Sequence, residues 1–406
     1  MTGNRIFAIG LGAIAACSLT IFLYAADAPP QSSADVATGH DPAARAQTLV
    51  DRGLAYLKQQ QKPDGGWQQP DEPPAITAIS IKAFCQDARY KGDEPFLSKG
   101  FEKLLSFQKP DGSISDDNLA TYNTAIAISA LAGSKQGPYK QQMLKALAFL
   151  RELQWDDKIE GVPANMKVPE NDPNYGGFGY GTKGKRADGS NMQVALDALK
   201  DSGLKPDDAA FQAALKFATR LQNNSETNDQ KWAGNDGGFI YSVADGGGSK
   251  AGEMIGANGM RMWRSYGSMT YAGLKSMIYA GLSHDDPRVK AAWDWIRHNW
   301  TLDENPGVKY GDPNNPKGGD DGLFYYYHTL ARALHAYGEP VIVDSRGNRH
   351  DWRLELVDKL AAQQHEDGSW TGIQKWMENK PILSTAYAIL ALQEAQKDLK
   401  EHPVAK

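Results

Sequence analysis

The sequence predicts an all-α protein, an α6/α6 toroid in which six outer helices surround six inner ones. Three observations predict it. A short motif recurs six times, an amphipathic helical pattern precedes each copy, and an almost wholly apolar helical pattern follows it. Alternation at period two, the mark of half-buried strands, is nearly absent. Composition agrees with a large globular domain. Of 406 residues 41% are hydrophobic and 41 are glycine, which excludes disorder and a collagen-like repeat.

The elements follow in order. The first copy, AYLKQQQKPDGGW (Ala55 to Trp67), recurs as KLLSFQKPDGSI (Lys103 to Ile114) and KLAAQQHEDGSW (Lys359 to Trp370). Looser copies are LAFLRELQ with NYGGFGY (ending at Tyr180), LKFATRLQ with NDGGFIY (ending at Tyr241), and WDWIRHNW with GGDDGLFYYY (Gly318 to Tyr327). In each, a helix with one polar face ends near a Gln or Asn, and a turn of the form Asp-Gly-small-aromatic follows. The glycine allows the positive φ of a helix stop, the aspartate can bond the turn's free amides, and the aromatic plugs the space beneath. The motif therefore reads as a structural clamp, with its Gln and Asp as fasteners.

Behind each turn comes the second pattern: AITAISIKAF (Ala75 to Phe84), YNTAIAISAL (Tyr122 to Leu131), SNMQVALDAL (Ser190 to Leu199), YGSMTYAGLKSMIYAGL (Tyr266 to Leu282), YYHTLARALHAYG (Tyr326 to Gly338) and STAYAILALQ (Ser384 to Gln393). A helix without a polar face is buried on all sides. Six such helices inside six amphipathic ones close a double ring, with the starts of the inner helices facing a central cavity. The segment from Asp245 to Arg264 interrupts one repeat and reads as a flap over the cavity or a loosely ordered loop.

Residues 1–28 stand outside this scheme. Arg5 precedes an uncharged apolar run from Ile6 to about Ala26. Three readings stay open. The run is a signal peptide cut near Ala26-Asp27-Ala28, where Pro29 obstructs cleavage; or Ile14-Ala15-Ala16-Cys17 is a lipobox that makes Cys17 a lipidated first residue; or the run is retained as a membrane anchor. Each predicts an exported protein, periplasmic or associated with the cell envelope. Residues 29–43 read as a flexible tether, 44–396 as the toroid and 397–406 as a polar tail. With 44 basic and 49 acidic residues the chain has no electrostatic footprint for nucleic acid, and 2 cysteines build no disulfide framework.

The Q-x-x-D-G-G-W clamp resembles the repeat of squalene and oxidosqualene cyclases and of protein prenyltransferase β-subunits. Phrases such as RSYGSMTYAGLKSMIYAGL look like the exported single-domain squalene-cyclase-like proteins of some bacteria. The resemblance covers roughly residues 44 to 396 and implies a terpenoid cyclase-like α/α toroid. It implies cyclisation only if the family's acid is present. Where the cyclases have D-x-D-D-T-A, aligning Thr124 and Ala125 leaves Asn123, Tyr122 and Ala120 in place of the aspartates. An amide and a phenol cannot protonate an alkene. Asp116 and Asp117 are the nearest acids, in the preceding loop. Cyclisation is disfavoured also because triterpene cyclases enclose their substrate with two helical domains. The Tyr327-His328-Thr329 segment matches the zinc histidine segment of the prenyltransferases, but the companion Asp-x-Cys is missing, so no metal and no cofactor is expected.

The candidate catalytic residues are thus His328, Tyr326, Asn123 and Arg264. Tyr122, Asn191, Tyr266, Tyr325 and Ser384 are expected to line the cavity, with Thr77, Gln193 and Thr385 also at inner-helix starts. Helix amino termini converging on one hole favour a polar head group, and aromatic walls suit a prenyl or hopanoid-like lipid. The expected partner is an isoprenoid or other lipid. The alternatives are a glycan, as in polysaccharide-acting toroids, or a binding module with no catalysis.

Overall fold

A computed structural model of the chain describes residues 41–404 except 117, 118, 136, 137, 184, 257 and 258. The expectations for Cys17, the residue 1–28 run and Asp117 lie outside the described residues. Twelve α-helices run through the described part: α1 (Pro42–Gln60), α2 (Ala75–Gln86), α3 (Pro95–Leu105), α4 (Ala120–Gly133), α5 (Lys140–Glu152), α6 (Gly189–Asp201), α7 (Ala209–Leu221), α8 (Gly267–Tyr279), α9 (Pro287–His298), α10 (Leu323–Tyr337), α11 (Trp352–Gln363) and α12 (Pro381–Glu401). The even-numbered helices pack each on the next, and α12 returns to α2, so the inner ring is closed. The odd-numbered helices lie outside them.

Local chemistry explains the split. In α1 the buried residues Ala46, Leu49, Val50, Gly53, Leu54 and Leu57 follow helical spacing along one stripe, and Asp41 and Pro42 start the helix. The inner helix α8 buries nearly every residue, among them Lys275. Burying that many small side chains is what brings inner helices close together.

Five of the six motif copies are fastened by the same atoms. The Gln61 side-chain amide donates to the Gly65 carbonyl of its own turn (2.8 Å) and to the Phe96 carbonyl at the start of the next outer helix (2.7 Å). Gln108 does the same to Gly112 and Gln142, Gln154 to Gly176 and Ala210, Gln222 to Gly237 and Arg288, and Gln364 to Gly368 and Leu49. Each clamp therefore holds the following outer helix, and the last one grips α1, joining the ends of the ring. The turn glycine is required twice over. Gly176 has φ 81°, and a Cβ there would lie 1.9 Å from the Ala213 carbonyl oxygen of α7. Beneath the turns, the Trp67, Ile114, Phe239 and Trp370 amides donate to the hydroxyls of Thr77, Thr124, Thr270 and Thr385.

The sixth copy departs from the motif reading. Asn299 turns its amide back to the Trp295 carbonyl of its own helix (2.8 Å) and reaches no neighbour. The joint between α9 and α11 is bridged by a hairpin of β3 (Val341–Val343) and β4 (Arg349–Asp351). There the Arg297 side chain donates to the Val343 carbonyl and Trp300 to Glu355. A second small hairpin, β1 (Glu253–Ile255) with β2 (Arg261–Trp263), gives the 245–264 segment a paired core.

Candidate functional site

The centre of the ring holds a cavity of about 330 Å³ at the inner-helix starts. Six tyrosines line it: Tyr122, Tyr180, Tyr241, Tyr266, Tyr325 and Tyr387. Between them lie Ile76, Ile79, Ile126, Met269 and Leu383, and Leu119, Trp376 and Lys250 stand at its edge. Tyr122 and Tyr180 stack with ring centres 6.3 Å apart, and the Tyr180 and Tyr241 hydroxyls meet at 2.5 Å. Burial pushes the phenols of Tyr122, Tyr241, Tyr266, Tyr325 and Tyr387 well up, so all five are neutral near pH 7. The Lys250 ammonium lies 4.5 Å from the centre of the Tyr241 ring. Partial burial lowers its pKa, with Arg186 adding to the effect. No carboxylate lines the cavity among the described residues.

One edge of the cavity is unusual in backbone. Trp376 (φ 55°) and Met377 (φ 67°) are consecutive bulky residues in the left-handed region, which is costly without glycine. Glu378 holds them there. Its carboxylate accepts the Tyr325 and Phe324 amides at 2.8 and 3.2 Å, capping α10, while its carbonyl accepts from Gly372 and from the Ser384 hydroxyl. Glu378 is 1% exposed, and burial pushes its carboxyl up to about 7 against the amides that favour the charged form. Trp376 fits over Gly322 at the start of α10, where a Cβ would come within 2.5 Å of the indole.

Below the cavity a smaller chamber of about 30 Å³ shares Ile79, Ile126, Tyr325 and Tyr387 with it. Lys82, Ser129, Gln193, Asp197 and His328 give its wall polar groups, and Val194 and Leu390 complete it. Around it runs a buried charge network. Lys275 meets Asp197 at 2.7 Å and the Gln193 side-chain oxygen at 2.6 Å, Arg332 meets Asp197 at 2.9 Å and Asp201 at 2.5 Å, and Lys82 meets Asp201 at 3.0 Å. Burial lowers Lys275 to about 8, and the neighbouring cations hold Asp197 and Asp201 ionised despite burial. Burial first, then Lys82, keeps His328 neutral.

The sequence-derived candidates separate in space. Tyr122, Asn123, Tyr266 and Tyr325 line the upper cavity, and His328 lies at the floor. Tyr326 does not reach either chamber: it is fully buried and its hydroxyl donates to the Thr301 carbonyl. Arg264 packs over the Tyr310 ring, 5.1 Å away, at the end of the β1–β2 hairpin. Asn191 faces its own helix start, donating to Asp188, and Ser384 is spent on Glu378. Thr77 and Thr385 serve the clamps. Asp116 is an exposed loop residue, 3.4 Å from the Asn123 amide. Sequence reading missed Tyr180, Tyr241, Tyr387, Trp376, Glu378 and the charge network. The network left a signal, because Lys82 is the one charge in α2 and Lys275 the one charge in α8.

No family model and no curated relative matches the sequence. Solved structures do share its architecture. The type II terpene cyclase MstE from Scytonema, in complex with its substrate geranylgeranyl dihydroxybenzoate, matches with TM-score 0.52 at 15% identity, over 88% of this chain and 99% of that one. The chain has a terpenoid cyclase-like α/α toroid fold. MstE in complex with its product merosterolic acid A gives 0.50 at 14% identity over the same shares. A novel alpha-amylase from Clostridium perfringens gives 0.50 at 12% identity, over 86% and 97% of the two chains.

Proposed function

We propose that this chain is an exported protein that holds an isoprenoid or other lipid in its central cavity and does not cyclise it by protonation. The observation that carries this reading is the lining: six tyrosines, a tryptophan and aliphatic side chains, with no carboxylate among the described residues. Such a wall gains by excluding water from a hydrocarbon, and neutral phenols offer hydrogen bonds without an acid strong enough to protonate an alkene. The prenylated substrate of the structurally similar MstE supports an isoprenoid of comparable kind. The alpha-amylase likeness raises a glycan as the second reading. Glycoside hydrolysis, however, uses a pair of carboxylates flanking the bond, and the cavity presents none among the described residues.

The test is to purify the chain without added lipid, extract it with organic solvent and identify the extract by mass spectrometry. Recovery of an isoprenoid in near-stoichiometric amount is the expected result. An empty protein that binds an oligosaccharide tightly overturns the reading. Export follows from residues 1–28 and is checked by cell fractionation, where recovery in the cytoplasm overturns it.

A further inference from the structure

The small chamber beneath the cavity has polar groups short of partners. Lys82 is 8% exposed and carries three N–H donors, and its hydrogen-bond partner is a single oxygen of Asp201, at 3.0 Å. His328, also 8% exposed, has a buried Nδ1 with no partner, its ring resting against Tyr387 with centres 5.5 Å apart. Both side chains border the same space of about 30 Å³, enough for one or two small polar groups and no more. Unmet donors in a buried site are costly, so the Lys82 N–H groups left without a partner call for an acceptor, and a neutral His328 can donate to the same acceptor in the tautomer that carries its proton on Nδ1.

The surrounding charges give that acceptor a sign. Asp197 has one oxygen on Lys275 and the other 2.9 Å from the Arg332 Nε but accepting no hydrogen bond, and Asp201 has its two on Lys82 and Arg332. Two carboxylates thus serve three cations around the chamber. Glu394 also acts on Arg332, but its side chain accepts from Gln86 and faces His335, away from the chamber wall. Gln193 is spent on both sides, donating to the Tyr325 hydroxyl and accepting from Lys275. Among the described residues of the wall, the Lys82 ammonium is the cation with N–H donors to spare, and the His328 ring lies beside it.

We propose that the chamber is the seat of a carboxylate, so that the ligand is an amphipathic acid bound tail-up: its carboxylate lies against Lys82 and His328 at the floor and its hydrocarbon body fills the tyrosine-lined cavity above. This rests on the lipid-binding reading and names its substrate class. The four residues shared by the two chambers, Ile79, Ile126, Tyr325 and Tyr387, form the waist through which the chain of the ligand passes.

The test is isothermal titration of the full chain with three probes that share one hydrocarbon body: farnesoic acid, farnesol and farnesene. A charge-assisted pair in a dry site predicts that the acid binds about tenfold or more tighter than the hydrocarbon, with the alcohol between. Lys82→Met is expected to remove most of that preference. His328→Phe, which keeps the ring and leaves every ion pair intact, is expected to reduce it about threefold or more and serves if the first variant unfolds. Equal binding of the three probes overturns the carboxylate seat and leaves lipid binding standing, with water as the occupant of the chamber. A preference for the acid that survives both variants in folded protein also overturns it. Binding of none of the probes, together with an empty extract, overturns the lipid reading and the seat with it.

Discussion

Five joints of the outer ring are closed by one device and the sixth by another. Between α1 and α3, and at each clamped joint after it, a buried or half-buried glutamine ties two carbonyls together and a glycine in the left-handed region rests on the next helix. Between α9 and α11 a β-hairpin bridges the gap, and the inner helix of that sector, α10, starts on the carboxylate of Glu378. The clamped joints repeat because each solves the same packing problem. The odd sector brings Tyr325 and His328 to the two chambers, and the start of its inner helix leans on Glu378 and Trp376 from the loop after the last clamp. Two clamped copies also reach the cavity, through Tyr180 and Tyr241 at the ends of their turns.

The sharpest break of a clamped joint is Gly176→Ala. The added Cβ must leave both its φ of 81° and a carbonyl 1.9 Å away, so strain and overpacking combine. A loss of about 4 kcal/mol is expected, read from urea unfolding of the purified variant. A loss under about 1 kcal/mol would mean that α7 is free to move away and that the clamp does not fix the helix.

The odd sector has a pH signature centred on Glu378. The Glu378 carboxyl rises from its ordinary 4.5 to about 7, so between these values the folded chain binds more protons than the unfolded one. Stability is therefore higher below pH 4.5 and falls as pH rises through 7, by about 3 kcal/mol for this group. The comparison is wild type against Glu378→Gln in thermal melts across that range. The variant is expected to lose this slope, and parallel curves would place the charge of Glu378 outside the stability of α10.

What the sequence disclosed follows the same division. The toroid was legible because a clamp written several times over, in front of helices with no polar face, has one geometric meaning. The same logic misassigned Thr77 and Thr385, since a hydroxyl at an inner-helix start can face the plug amide as easily as the cavity. At the site, Tyr122 and Tyr266 were found because they open inner helices. Tyr180 and Tyr241 were passed over as tails of motif copies, and Glu378 sits in a loop with no periodicity. Lys82 and Lys275 were visible as lone charges in buried helices, which cannot remain unpaired. Their partners on α6 lie more than a hundred positions from Lys82 and about eighty from Lys275, and only the closed ring brings them together.

The finest test compares the fasteners directly. Gln154 is fully buried and its amide satisfies the Gly176 and Ala210 carbonyls at 2.9 Å each. Gln154→Leu leaves the Gly176 carbonyl without this partner, while the Ala210 carbonyl keeps its helical one, and a cost of about 1 to 2 kcal/mol is expected. Asn299 occupies the matching place in the sixth copy but is half-buried, and its one side-chain bond goes to Trp295, whose carbonyl already accepts the Asn299 backbone amide. Asn299→Ala removes a bond whose acceptor keeps a partner, so its cost is expected to be about 0.5 kcal/mol or less. Both are measured as denaturant midpoints at constant slope. Equal costs would mean that Asn299 holds α11 by a contact formed only in solution, and the hairpin would lose its place as the sixth fastener.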